Sequence, residues 1–322
     1  MQTPVFWNEH GIAARLLNPA SVLFGAVGRW RWRWTNPVSA NIPVLCVGNL
    51  VAGGAGKTPV ALSLASRLRA SGYATHFLSR GYGGAVRGPH RVDNDCDGPA
   101  NVGDEALLLA AVSPTWVARN RVAGARAAAL AGAEVIVMDD GFQNPSLLKD
   151  LSVVVIDGAY GFGNQRLIPA GPLRESVVDG LARADAVVIL GADQVGVREQ
   201  IPKHLLVLTG QIVAGPERLK LLGRRAVAFA GIGRPEKFFN MLEDLGCELV
   251  DRHIFPDHHL YREHELLLLA DKAHRLDAIL VTTAKDAVRV SKAFRGLIEV
   301  LTVTVSWDDE NALDTMLGNL SH

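Results

Sequence analysis

Three cysteines in 322 residues, Cys46, Cys96 and Cys247, are too few and too scattered for a disulfide framework or a zinc site, and they suit a reducing compartment. Charge of one sign is also lacking. With 33 Lys plus Arg against 33 Asp plus Glu, the chain has no global basic excess, which excludes a nucleic-acid backbone as its main partner. No apolar run reaches the roughly 20 residues needed to cross a bilayer. The nearest, "LLNPASVLFGAVG" from Leu16 to Gly28, is interrupted by Asn18 and Pro19 and preceded by Arg15. It lacks the basic start and small-residue cleavage site of a signal peptide. Internal repeats and low-complexity tracts are missing too. What remains is a 48% hydrophobic chain with 32 glycines, able to bury a large core and long enough for two domains.

Against that background "GRWRWRW", Gly28 to Trp34, stands out. As a strand it would put Arg29, Arg31 and Arg33 on one face and Trp30, Trp32 and Trp34 on the other. As a helix it would interleave them, which suits a segment lying among headgroups with Trp at the interface and Arg reaching phosphate. Three partners fit: an anionic bilayer surface, the protein's own surface with Trp packed inward, or nucleic acid.

The strongest chemical signal is "IPVLCVGNLVAGGAGKTPVALSLASRL", Ile42 to Leu68. An apolar strand runs into a glycine-rich turn and then into a helix with an apolar stripe at Val60, Leu62, Leu64, Ala65 and Leu68. Gly53, Gly54, Ala55 and Gly56 can turn backbone N–H groups onto phosphate oxygens. Lys57 can reach the outer phosphates, and the Thr58 hydroxyl can ligate Mg²⁺. Val51 occupies the first glycine position of G-x-x-x-x-G-K-T, so the loop is a variant. Pro59 in the first helical turn is tolerated because its missing N–H had no intrahelical partner. A second apolar strand, Val135 to Met138, ends in Asp139 and Asp140, where a P-loop protein holds its metal.

Further strands are expected at 74–79, 115–118, 152–156 and 186–190, alternating with helices such as 105–111 and 121–131. The fold class is α/β: a P-loop kinase-like parallel sheet with helices on both faces, a second smaller α/β lobe and an N-terminal interfacial helix. We expect a membrane-interface segment at 1–36, a nucleotide-binding lobe at 37–204, a strand-rich connector at 205–218 and a C-terminal lobe at 219–322. The second lobe should carry strands near 226–230, 249–254, 278–282 and 298–303.

"VGNLVAGGAGKTP", "SRGYGG", "VGDEALLLA", "MDDGFQN", "GFGNQRLIPAGPLRES", "AGIGRPEKFF", "FPDHH" and "TTAKDAVRV", in this order, resemble the tetraacyldisaccharide 4'-kinases, the lipid A 4'-kinases of Gram-negative bacteria. The resemblance covers nearly the whole chain. It implies transfer of the γ-phosphoryl group of ATP, with Mg²⁺, to the 4'-hydroxyl of a tetraacylated glucosamine disaccharide 1-phosphate in lipid A biosynthesis. The acceptor is a membrane-embedded precursor, so the resemblance implies a peripheral, monotopic protein on the cytoplasmic face of the inner membrane. It also favours the bilayer as the partner of the Arg–Trp stripe. Asp104 with His258 is implied as the proton-accepting pair, with Lys57 on the phosphates. Glu105 joins Thr58, Asp139 and Asp140 as a candidate metal ligand. Arg80, Arg119, Arg121 and Arg174 are candidates for the acceptor's phosphate and sugar. Ala106, Asn144, Gln165, Ser176 and Ala284 depart from the family pattern and receive no role. A membrane-associated regulatory P-loop ATPase is the alternative, but its signature lysine is replaced by Ala52. A GTPase would need Asn-Lys-x-Asp, which "TAKD" at Thr283–Asp286 does not supply.

Overall fold

Val44–Gly48, Val135–Asp139 and Ala186–Leu190 are apolar without alternation, the pattern of strands covered on both faces. The computed structural model, which describes residues 4–9 and 11–321, places all three in one nine-stranded sheet. Residues 1–3 and 10 of the expected N-terminal segment, and 322 of the expected C-terminal lobe, lie outside the described residues.

In chain order the strands are β1 (Val44–Gly48), β2 (Thr75–Ser79), β3 (His90–Arg91), β4 (Thr115–Val117), β5 (Val135–Asp139), β6 (Leu151–Asp157) and β7 (Ala186–Leu190). They continue as β8 (Leu206–Ala214), β9 (Arg225–Ala230), β10 (Glu248–Ile254), β11 (Ile279–Thr283), β12 (Ile298–Leu301) and β13 (Val303–Trp307). The large sheet has the order β13-β8-β7-β6-β1-β5-β2-β4-β3, parallel except for its two edge strands. The helices Lys57–Ala70 and Glu310–Gly318 pack on one face, and Arg121–Leu130 and Val177–Leu181 on the other. A second, all-parallel sheet, β10-β9-β11-β12, buries Phe238, Phe239 and Leu242 on one face and Leu266, Leu269 and Ala273 on the other. The mixed α/β architecture with two lobes is therefore as expected.

The chain's path between the lobes differs from the expected linear division. Residues 206–214, expected within a connector, form β8, a strand of the large sheet beside β7. The run Ile298–Val303, expected as one strand, is broken at Thr302. There the Gly215 N–H donates to the Thr302 carbonyl at 2.9 Å while the Thr302 hydroxyl donates to Glu217, and the chain crosses back to the first sheet. β13 pairs antiparallel with β8, Val303 opposite Ala214, and Leu313, Met316 and Leu317 join the core beneath the Lys57–Ala70 helix. Residues 303–320 thus pack with the first lobe, and the second lobe is an insertion between β8 and β13.

The Arg–Trp alternation is helical. It closes the helix Asn18–Arg33, with Trp34 as its cap. Ser21, Gly25 and Trp32, spaced by four and seven residues, form the inner face. The Ser21 hydroxyl donates to the Leu167 carbonyl at 2.7 Å and accepts from the Ala170 N–H at 3.0 Å. A Cβ on Gly25 would come within 2.5 Å of Leu167 Cδ1, so glycine lets the helix seat closely. Trp32 lies under two cations, the Arg183 guanidinium 4.1 Å and the Lys149 ammonium 4.9 Å from its ring centre. Leu16, Leu23, Val27, Trp30 and Trp34 face outward and are exposed, as are all three arginines. Among the described residues no helix is long and apolar enough to cross a membrane.

Candidate active site

β1 is the middle strand of the large sheet, and the turn that follows it carries the glycine-rich loop. Gly56 caps the Lys57–Ala70 helix at φ +85°, a left-handed conformation, and a Cβ there would meet Leu190 Cδ1 at 2.4 Å. The left-handed backbone is what favours glycine here. Val51, where a first glycine was expected, is buried and makes a backbone contact of its own. It bridges to Leu173, and the neighbouring Ala52 N–H donates to the Pro172 carbonyl at 2.7 Å. The loop is thereby tied to the segment that carries Arg174.

Pairing of β1 with β5 sets Val47 beside Asp139. The buried Thr58 hydroxyl donates to Asp139 Oδ2 at 2.9 Å, while Asp139 Oδ1 is buried with no partner. Burial, aided by the neighbouring Asp140, pushes the Asp139 carboxyl up to about 6. Asp140 is also pushed up by the surrounding protein, but Lys57 and Arg174 outweigh this and hold it below the usual carboxylate value. Its Oδ1 accepts from Arg174 Nη1 at 2.8 Å and lies 3.7 Å from Lys57 Nζ. Burial pulls the Lys57 ammonium down, with Asp140 opposing. Lys57, Thr58, Asp139, Asp140 and Arg174 are thus together at one end of the central strands.

Asp104 opens the helix Asp104–Ala110, after Gly103 at φ +85°, whose Cβ would strike the Tyr82 carbonyl at 2.3 Å. His258 reaches it from the second lobe: Nδ1 donates to Asp104 Oδ2 at 2.7 Å. This hydrogen bond is the main reason the His258 pKa is raised. Burial pushes the Asp104 carboxyl up, and its bonds to His258 and Arg289 more than reverse this. The two lobes therefore already meet at this pair. His259 has another task, stacking on Phe255 with ring centres 4.8 Å apart and bonding Glu265 at 3.0 Å. Glu105, expected among the metal ligands, accepts from Lys285 of the second lobe at 2.7 Å.

Of the candidate acceptor-binding arginines, Arg80 and Arg119 are exposed just beyond β2 and β4, at the end of the sheet where the glycine-rich loop lies. Arg121 is buried, donates to the Ala118 carbonyl, and has its pKa lowered to about 10 by burial and by Arg80. It feels the charges of Asp139 and Asp140 from inside the protein.

The family profile described as Tetraacyldisaccharide-1-P 4'-kinase (LpxK) matches residues 13–321. The chain belongs to this family. Tetraacyldisaccharide 4'-kinase of Rhodospirillum rubrum is 52% identical over 324 residues, covering 99% of this chain and 98% of its own. That of Rhodospirillum centenum is 54% identical over 326 residues, covering 99% and 97%. The crystal structure of the "apo" form of LpxK from Aquifex aeolicus in complex with ATP superposes with a TM-score of 0.78 at 26% identity, covering 97% of this chain and 100% of that one.

For this LpxK family member several departures from the expected motifs have local structural work. Asn144 accepts from the Ser146 N–H at 3.0 Å in a turn, and Ser176 caps the Val177–Leu181 helix through the Asp179 N–H at 3.0 Å. Sequence reasoning missed Asn49, Gln143, Glu175, Lys285 and Arg289. Gln143 Nε2 donates to the Asn49 carbonyl at 2.8 Å and to Glu175 at 3.0 Å, bracing the loop after Asp140. Only the tertiary pairing of strands far apart in the chain reveals these partners.

Proposed function

We propose that the protein transfers the γ-phosphoryl group of ATP to the 4'-hydroxyl of a tetraacylated glucosamine disaccharide 1-phosphate. Family membership supports the reaction, and one observation of geometry carries it to these residues. The Asp104–His258 pair spans the lobes, and the adjoining Glu105–Lys285 pair acts electrostatically on Asp139 and Lys57 of a phosphate loop whose Lys57 and Thr58 already face two aspartates.

Phosphoryl transfer asks a protein for positioning, charge neutralisation and a proton acceptor. Backbone N–H groups of residues 53–56 and the Lys57 ammonium would hold the β- and γ-phosphates. Asp104 takes the proton of the attacking hydroxyl; His258, bonded to one carboxylate oxygen, fixes its orientation. Exposed Arg80 and Arg119, with Arg174, would meet the anionic acceptor.

The buried, unpartnered Asp139 Oδ1 beside the Thr58 hydroxyl fits a hard cation with oxygen ligands. A Mg²⁺ held there would take its remaining ligands from phosphate and water. Thr58, Asp139 and Asp140 would hold it. When bound it neutralises charge on the transferring phosphoryl group.

The outward stripe of Leu16, Leu23, Val27, Trp30 and Trp34, rimmed by arginines, supports a helix lying in the interface of the inner membrane's cytoplasmic leaflet. Incubation with γ-labelled ATP, Mg²⁺ and detergent-dispersed acceptor should place label in the lipid. Label released only as inorganic phosphate, whether or not acceptor is present, would replace this reading with that of a regulatory ATPase.

A further inference from the structure

We propose that Arg289 is a positioning residue for the proton-accepting pair, a clamp held by the second lobe that fixes the Asp104 carboxylate of the first. The inference rests on the phosphoryl-transfer reading of the site and adds to it a residue that neither the motif spacing nor that reading requires.

Arg289 is buried, its side chain 1% exposed. Its Nη1 donates within its own lobe to the Gly231 carbonyl at 2.8 Å and to Asp286 Oδ1 at 3.0 Å. Asp286 cannot swing away, because Oδ1 also accepts from the Gly231 N–H at 2.9 Å and the Tyr261 hydroxyl at 2.7 Å, while Oδ2 accepts from the Thr283 hydroxyl at 2.6 Å. The planar guanidinium is therefore fixed from behind. Its other edge crosses the lobe boundary: Nε donates to Asp104 Oδ2 at 2.7 Å, and Nη2 lies 2.6 Å from the same oxygen.

His258 Nδ1 bonds that oxygen as well, at 2.7 Å. Oδ2 is thus held by two side chains of the second lobe, and among the described residues Oδ1 carries no hydrogen bond. A single imidazole contact would leave the carboxylate free to rotate about its Cβ–Cγ bond. The rigid plane of a guanidinium whose Nη1 is anchored in its own lobe while Nε donates to Oδ2 removes that freedom, as a lysine's single rotating ammonium cannot. Oδ1 is then left as the oxygen that takes the hydroxyl proton. Displacement of a reacting group by about 1 Å can cost about 10²-fold in rate, so the orientation of this carboxylate matters to kcat.

The test exploits a cavity of about 310 Å³ at the lobe boundary, lined by Asp97, Tyr261, Arg289 and Ser291 among others. Arg289→Ala should lower kcat by about 10²-fold with nucleotide KM nearly unchanged. Guanidinium ions at millimolar concentration, admitted through the enlarged cavity, should restore about tenfold of the loss with saturation, whereas NaCl and urea should not. Arg289→Lys should fold, keep the charge, lose the fork and resist rescue. An independent reading comes from the resting protein, in which the Nδ1–H resonance of His258, assigned with His258→Gln, should broaden or shift in Arg289→Ala and return with guanidinium. Parent-like kcat in both variants with an unchanged resonance would overturn the proposal, as would an equal loss in both that guanidinium leaves untouched. If the parent transfers no phosphoryl group yet the resonance responds as stated, the clamp stands and the assignment of the reaction fails.

Discussion

Lys57 carries a buried charge under opposing influences. Burial disfavours its ammonium, Asp140 counters, and the side chain belongs to neither apolar cluster of the large sheet, so Lys57→Ala should abolish transfer while the thermal midpoint stays near that of the parent. Near-normal turnover would remove the loop from the mechanism. Asp104 and His258 make a sharper case because they share a hydrogen bond. Alanine at either should lower kcat by about 10²-fold or more, and the double variant should be scarcely slower than the worse single one. Multiplicative losses in steady-state kinetics would show two independent roles. Lys57, Thr58, Asp139 and Asp140 can be picked from spacing alone, since a strand, a glycine turn and a helix are contiguous in the chain. Asp104 and His258 came only from resemblance. Arg289 lies within "TTAKDAVRV" but no role could be read for it, because its partner lies 185 residues away and an arginine after a short helix reads as a solvated one.

Seen as an element, the N-terminal helix separates three tryptophans that the sequence presents as equals. A strand would have put them on one side; the 3.6-residue period instead turns Trp32 inward and Trp30 and Trp34 outward. Trp30→Ala with Trp34→Ala should weaken vesicle binding with little salt dependence, and activity in detergent micelles should survive. Arg29, Arg31 and Arg33 changed to Ser should weaken attachment to anionic vesicles by about 1 kcal/mol each, and the residual binding should depend less on salt. Trp32→Ala should behave differently, lowering activity in micelles and vesicles alike. Its ring covers Arg183 and Lys149, and Lys149 donates to the Asn144 carbonyl at 2.6 Å in the loop that follows Asp140. Equal vesicle-specific losses for all three tryptophans, measured by sedimentation and by paired assays, would contradict this division. Strand positions were legible from unbroken apolar runs. The break at Thr302 was not, because it depends on Gly215 and Glu217, which meet it only in the folded chain.

At the scale of the whole molecule the lobes meet with opposite charge. Asp95, Asp104, Glu105 and Asp157 belong to the first; Lys292, His258 with Arg289, Lys285, and Arg234 with Lys237 answer from the second. Exposed members such as Lys292 and Lys237 are screened by salt, and buried Arg289 is not. Raising ionic strength, or Asp157→Asn, should therefore increase the radius of gyration in small-angle scattering; an unchanged radius in both would show that apolar contact alone holds the lobes. The path of the chain adds something further. Because Ala214 and Val303 sit opposite each other on antiparallel strands, the second lobe begins and ends at one spot, and a two-residue turn could join them directly. Such a shortened protein should fold around its nine strands and still bind nucleotide, yet leave the acceptor hydroxyl untouched. Nucleotide binding and the aiming of the proton acceptor would then belong to separable parts of the chain.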